Sequence, residues 1–286
     1  MLITKQDGTQ EEFDPKKLDE SLLRSGTSKQ TREEIIKRIS KELTEGMSTT
    51  VIYRKAYNML KKYEQRPEVT FGYSLRRAIA DFGPSGFPFE KFMGEIFRLE
   101  GYKIRVGEHL QGKCASHELD VIGEKDGEMF TAELKFHNKQ SLRTDLQTML
   151  YMRARFDDLI AGGYYDDKTP RCAVITNTKF TSSAIRYGEC AGLELLGWNF
   201  PKREGNLHDL ITESGIHPLT CLSTLSKKQK RYFLEQGLVL CRELIANDMH
   251  VMREAGGIIQ ESKLPKIKEE IEQILKCVGA ECEAVS

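Results

Sequence analysis

The sequence predicts a multi-domain α/β protein with a mostly helical N-terminal domain, a central sheet domain flanked by helices, and a helical C-terminal tail. Three observations carry this reading. The first eighty residues hold one Asp-Gly hairpin signal and then only helical spacing. Residues 88–203 alternate short apolar stretches with amphipathic ones, the order of a sheet covered by helices. From about 206 onward the spacing is helical again, broken by short turns. The expected domains are 1–82, 86–203 and 206–286, with the breaker "GPSGFP" at 83–88 at the first boundary.

The elements follow in order. "LITKQDGTQEEF" reads as two short strands around Asp7-Gly8. Asp14 is a natural N-cap with Pro15 at the first helical position, and "KKLDESLLRSG" runs at helical spacing to Gly26. Helices are expected at about 30–45 and 49–64, with a fourth in "SLRRAIADFG". In the central segment Phe89, Phe92, Met93, Ile96 and Phe97 share one helical face, closed by Gly101. Strands are expected around 102–107, 117–123 and 129–136, then a long helix at about 141–161. The strand "RCAVITN", the helix "SSAIRYGECAG" and the closing strand "LELLGW" complete the segment. The tail reads as four helices, "LHDLITESG", "SKKQKRYFLEQG", "LCRELIAND" and "KIKEEIEQIL".

Composition narrows the class. Apolar residues at 39% and charged residues at 30% describe a folded globular chain. No stretch approaches the roughly 18 unbroken apolar residues that span a bilayer, so no membrane partner is expected. The first residues lack the apolar core of a secretory signal, and the seven cysteines form no CxxC pair. A cytoplasmic protein with reduced thiols is the expectation. The 43 basic and 43 acidic side chains balance, so any polyanion must be met by local patches.

One stretch combines these signals, "HELDVIGEKDGEMFTAELKFHNK" at 117–139. A tight turn at Asp126-Gly127 pairs Lys125 with Glu128, and the register places Glu133 opposite Asp120 and Lys135 opposite Glu118. Strand alternation puts these four side chains on one face, with Leu119, Val121, Ala132, Leu134 and Phe136 on the other. Two carboxylates directly opposite repel each other, and a divalent cation reverses that sign. A neighbouring lysine can orient a water and neutralise charge building on a phosphate. The bland alternative is a solvated face with a weak Glu118–Lys135 ion pair.

The pieces "FEKFMGEIFRLEGYKI", "HELDVIG", "TAELK" and "AVITNTKFTSSAIRYGECAGLELLGW" stand in an order that resembles the Mrr-type branch of the PD-(D/E)XK restriction-endonuclease-like fold. The resemblance covers roughly residues 86–200. It implies a Mg²⁺- or Mn²⁺-dependent endonuclease acting on DNA, with Asp120, Glu133 and the Leu134 carbonyl as metal ligands and Lys135 as the catalytic lysine. Glu90 matches the family's helical acidic residue, and Gln147 could face the site from the next helix. His117 and His137 read as surface or packing residues, and Arg143, Arg153 and Arg155 as a solvated helix face that could meet phosphates.

The opening "ITKQDGTQEEFDPKKLDESLLRSG", with "GMSTTVIYRKAY", is similar to the ATP-cone, a nucleotide-binding regulatory module. By motif position Lys5, Glu11, Asp14, Lys17, Leu18 and Thr49 are the candidates for holding ATP or dATP. Tyr53 stands where some cones carry His. No Walker-type glycine loop is present, so binding without hydrolysis is expected. The tail's spacing resembles helix-hairpin-helix DNA-binding modules, without their G-x-G turn, and Lys227, Lys228, Lys230 and Arg231 could grip phosphates. The expected partners are DNA, an adenine nucleotide and further copies of the chain in a homo-oligomer. The rival expectation is a non-catalytic, nucleotide-sensing DNA-binding or regulatory protein on the same fold, whose DNA retention would survive Asp120→Ala.

Overall fold

The computed structural model describes residues 1–282 except Gln6, Asp166, 247–249 and 255–257. They form two compact units. The first comprises Met1–Ala78, His217–Tyr232 and Leu240 onward; the second comprises Ile79–Ile216 with Phe233–Val239.

The first unit opens with β1 (Leu2–Thr4) and β2 (Gln10–Glu12), an antiparallel hairpin in which Leu2 pairs with Glu12 and Thr4 with Gln10. Gly8 takes φ 85°, the left-handed conformation that Asp7-Gly8 promised. α1 (Pro15–Arg24) starts where expected, with the Asp14 carboxylate accepting the Lys16 N–H at 2.9 Å. α2 (Lys29–Glu42) is capped by Ser28. The short β3 (Met47–Ser48) lies parallel to β1, and Ser48 caps α3 (Thr49–Tyr63). α4 (Pro67–Ala80) follows. Leu18, Leu22, Ile35, Ile39, Ile52, Ala56 and Leu60 recur at helical spacing and form one buried core with Ile3 and Val69.

The second unit begins with α5 (Phe87–Leu99), whose Phe89, Phe92, Met93 and Ile96 are fully buried. β4 (Lys103–Gln111), β5 (Ser116–Lys125) and β6 (Glu128–Lys135) form an antiparallel meander. Asp126 and Gly127 both adopt positive φ, 52° and 82°, the twist-matched two-residue turn that fixes Lys125 opposite Glu128. β7 (Arg143–Thr144) precedes α6 (Leu146–Ala161). This helix starts later than the periodicity suggested because Asp145 caps it by accepting the Thr148 N–H at 3.2 Å. β8 (Thr169–Thr176), β9 (Lys179–Phe180), α7 (Ser182–Cys190), β10 (Glu194–Gly197) and α8 (Leu207–Ser214) complete the run. The main sheet has the order β10-β8-β6-β5-β4, while β7 and β9 pair apart from it. β6, β8 and β10 are parallel, as strands joined through the crossover helices α6 and α7 must be.

The tail continues with α9 (Lys227–Glu235), α10 (Cys241–Ile245), α11 (His250–Glu254) and α12 (Leu264–Cys282). Rather than standing alone, residues 217–232 and 240 onward join the N-terminal segment. Two five-residue helices cannot enclose a core of their own. Within the first unit Thr220 donates its hydroxyl to the Ala78 carbonyl at 2.7 Å, and the Glu270 carboxylate accepts from both N–H and hydroxyl of Ser223 and Thr224. Among the described residues no helix is long and apolar enough to cross a membrane.

Candidate metal centre

The central sheet comes apart at one point. β5 and β6 pair from Lys125–Glu128 only as far as Val121–Ala132. Beyond that pair β5 stays with β4, through Leu119 opposite Glu108, and β6 stays with β8, through Glu133 opposite Val174. The fork leaves the backbone of β6 without a ladder partner on one side. A side chain fills the role: Asp120 Oδ2 accepts the Leu134 N–H at 2.6 Å. In a strand a residue points its N–H and C=O to the same edge, so the Leu134 carbonyl faces the same fork.

Glu133 is 6% exposed, and both of its oxygens are held. Lys135 Nζ lies 2.5 Å from Oε1, and Arg155 Nη1 donates to Oε2 at 2.9 Å. Lys135 keeps 37% of its side chain in solvent, so its ammonium reaches the site from the rim. Glu90, in the first turn of α5, belongs to the same group electrostatically. Burial, then the charges of Asp120, Glu118 and Glu133, push its carboxyl up to about 7. Asp120 is pushed up to about 6, by burial first and the Glu133 charge second, against the Leu134 N–H, Lys135 and Arg155. Two cations sit on Glu133, whereas Asp120 and Glu90 hold their protons more tightly than exposed carboxyls do.

This donor set fits a hard divalent cation. Mg²⁺ is typically bound by one or two carboxylates, keeps several waters, and takes backbone carbonyls readily enough to use Leu134. Among the described residues no three His, Cys, Asp or Glu side chains gather closely enough to enclose a metal by themselves. Two carboxylates and a carbonyl with waters is therefore the arrangement available, and a softer metal lacks its ligands here.

The remaining candidates divide. Gln147 is exposed in the first turn of α6 and bonds none of these groups. His117 turns away to Asp158, 2.8 Å from Nε2, in a latch that also takes the Cys114 and Ala115 N–H groups. His137 is half-buried, and burial with the Lys135 charge holds its imidazole below the usual value. Arg143 is exposed, and Arg153 bonds Asp157 and the Ala191 carbonyl. Arg155 corrects the expectation of a solvated helix face. It is 7% exposed, donates to the Glu118 carbonyl at 2.6 Å as well as to Glu133, and lies 4.2 Å over the Tyr151 ring. The four-residue spacing of Tyr151 and Arg155 stacks the two side chains on one side of α6, but nothing in the sequence marks that side as buried. Asn177 was missed too. Its side chain accepts the His137 N–H at 2.8 Å and donates to the His137 carbonyl at 2.7 Å, fixing the chain just beyond Lys135. A polar residue ending an apolar strand was its only trace.

In the first unit Lys5 and Lys17 converge on Glu11 Oε2 at 2.8 and 2.9 Å, and these bonds hold the Glu11 carboxyl below its usual range. Asp14 serves as N-cap, Leu18 packs in the core, and Thr49 is half-buried at the start of α3. Tyr53 stacks on Tyr73 at 5.2 Å beneath the Arg77 guanidinium. On α9, Lys227, Lys228 and Arg231 are exposed, while Lys230 donates to the Thr220 carbonyl at 2.6 Å.

A family model described as AF1548-like, C-terminal, matches residues 217–275. An uncharacterised protein of Archaeoglobus fulgidus is 32% identical over 187 residues, which is 65% of this chain and all of that protein. The crystal structure of the protein of unknown function AF1548 is 29% identical, covers 68% of this chain and 100% of its own, and superposes with a TM-score of 0.52. A repair endonuclease from Pyrococcus abyssi is 21% identical over 40% of this chain and 46% of its own, with a TM-score of 0.28. EndoMS in complex with double-stranded DNA is 24% identical over 42% of this chain and 46% of its own, also at 0.28. Those last two scores are too low to establish a shared fold.

Proposed function

The chain belongs to the AF1548-like family, and we propose that this member is a metal-dependent nuclease that hydrolyses DNA phosphodiester bonds at the β5–β6 fork. The observation that carries the reading is the gathering of Asp120, Glu133 and Glu90 at the fork, where burial and one another's charges raise the Asp120 and Glu90 carboxyls, with a lysine at the rim. Two partly buried carboxylates in mutual repulsion cost stability unless a cation joins them. The order of sequence motifs that resembles the Mrr-type nucleases supports the same assignment.

Asp120, Glu133 and the Leu134 carbonyl would hold Mg²⁺ or Mn²⁺. Such an ion, when bound, supplies a nucleophilic water and polarises the phosphoryl oxygens. The protein's own part is to fix two carboxylates on diverging strands, and to bring the Lys135 ammonium to the mouth of the site. There it stabilises charge on the phosphate and orients the water. Glu90, half-buried and proton-retaining near neutrality, can pass a proton to or from that water.

The N-terminal unit is proposed to bind ATP or dATP as a regulatory ligand. The support is the convergence of Lys5 and Lys17 on a single carboxylate oxygen, which leaves two ammonium groups side by side for phosphate oxygens.

The decisive experiment is cleavage of plasmid, branched and single-stranded DNA with Mg²⁺ or Mn²⁺, with and without ATP and dATP. Wild type is expected to nick or cut at least one form, and Lys135→Ala to lose that activity by roughly a hundredfold or more. Cleavage equal in wild type and Lys135→Ala, or none in any lane, removes the catalytic assignment.

A further inference from the structure

We infer that Arg155 is a positioning residue that presents the Glu133 carboxylate to a bound divalent cation. The inference rests on the metal-site reading given above. It starts from the way the guanidinium is used. Arginine–carboxylate pairs are frequently two-pronged, with two N–H groups on two carboxylate oxygens. The Arg155 pair is not. Its Nη1 alone serves both Glu133 Oε2 at 2.9 Å and the Glu118 carbonyl at 2.6 Å, and its buried Nε donates to nothing among the described residues.

The two acceptors explain the geometry. Glu118 lies on β5 and Glu133 on β6, on opposite sides of the fork where the ladder has ended. One nitrogen therefore ties the separated strands, alongside the Asp120–Leu134 bond that ties them from the other direction. The guanidinium is 7% exposed and lies against the Tyr151 ring at 4.2 Å, so leaving its place means displacing that ring. Its neighbours on α6, Met152 and Phe156, are buried in the core.

The two cations on Glu133 thus differ in kind. Lys135 is a flexible side chain at the rim and can leave Oε1. Arg155 is walled in and keeps Oε2. That leaves Oε1 as the oxygen of Glu133 that a cation can take, in place of the Lys135 ammonium. Outer partners of metal ligands act in this way, fixing the ligand's orientation.

The test uses the full chain as wild type, Arg155→Met, Arg155→Lys and Asp120→Asn. Mn²⁺ is titrated in while the signal of the free ion is followed by electron paramagnetic resonance. Fluorescence of Trp198, the single tryptophan, confirms that the second unit is folded. Arg155→Met is expected to weaken Mn²⁺ binding by about 10- to 100-fold. Arg155→Lys, which keeps a charge beside Glu133 but cannot span both acceptors, is expected to fall between. It supplies the answer if the methionine variant does not fold. A folded Arg155→Met or Arg155→Lys protein with wild-type Mn²⁺ affinity overturns the positioning role while leaving the metal site standing. Wild type and Asp120→Asn alike in binding no Mn²⁺ overturn the metal site, and the positioning role with it.

Discussion

Replacing Glu90 by Gln should stabilise the second unit, and only above a definable pH. The wild-type carboxyl is pushed up to about 7 by burial and by Asp120, Glu118 and Glu133. An exposed glutamate in the unfolded chain titrates near its ordinary value of about 4.3. The native state therefore binds more protons than the unfolded state between these values, and stability falls as pH rises through that window. Below about pH 4 the carboxyl is neutral in both states and resembles Gln. Above about pH 7 the fold holds a carboxylate that it repels. The difference is worth about 4 kcal/mol, and solvent screening of a half-buried side chain reduces it to about 2 kcal/mol. Urea unfolding followed by Trp198 fluorescence reports this unit, with EDTA present to remove metal. Glu90→Gln should be near-neutral at pH 4.5 and more stable than wild type by about 2 kcal/mol at pH 8. Adding Mg²⁺ at pH 8 should narrow the gap, because the ion relieves the same repulsion. An advantage for Glu90→Gln that is equal at both pH values, or larger at pH 4.5, would refute the electrostatic account of the site.

Two further outcomes follow from single contacts. Lys17→Ala leaves Glu11 with Lys5 alone and is expected to weaken ATP binding about tenfold. Unchanged calorimetric affinity would remove Lys17 from the nucleotide proposal. Glu270→Ala strips the acceptor from four donors on Ser223 and Thr224 and should destabilise the first unit by about 2 kcal/mol. Faster hydrogen exchange at the Ser223 and Thr224 amides would show it, and unaltered exchange would contradict it.

Much of the fold was legible because its signals are local. Asp126-Gly127 fixed a register that holds to Val121–Ala132, since positive φ at both positions permits only that turn. Asp14, Ser28 and Ser48 start helices where short oxygen-bearing side chains precede apolar periodicity. Helix-length connections between apolar strands signalled a sheet covered by helices. The closeness of Asp120, Glu133 and Lys135 was readable from the same register.

The fork itself was not. The hairpin pattern carries on unbroken past Val121, and only the competing partners β4 and β8 pull the strands apart. Extrapolated pairing put Asp120 opposite Glu133, whereas the Asp120 carboxylate takes a backbone N–H instead. The burial of Glu133 and Arg155 was equally hidden, because α6 is laid over that face by a connection that no short-range pattern encodes. The tail's return to the first unit is a third case. Its helices carry apolar faces, but what covers an apolar face is decided by segments more than a hundred residues away, as Thr220 on Ala78 shows.

By itself, then, the sequence determined most of the elements, the turn, the hairpin register as far as Val121–Ala132 and the residue types at the site, all set by backbone sterics and side-chain period. Only the tertiary structure decided where the sheet splits, which cations hold Glu133, and which carboxyls are pushed up. Those depend on burial and on charges brought together from distant segments, where the low dielectric makes each neighbour count.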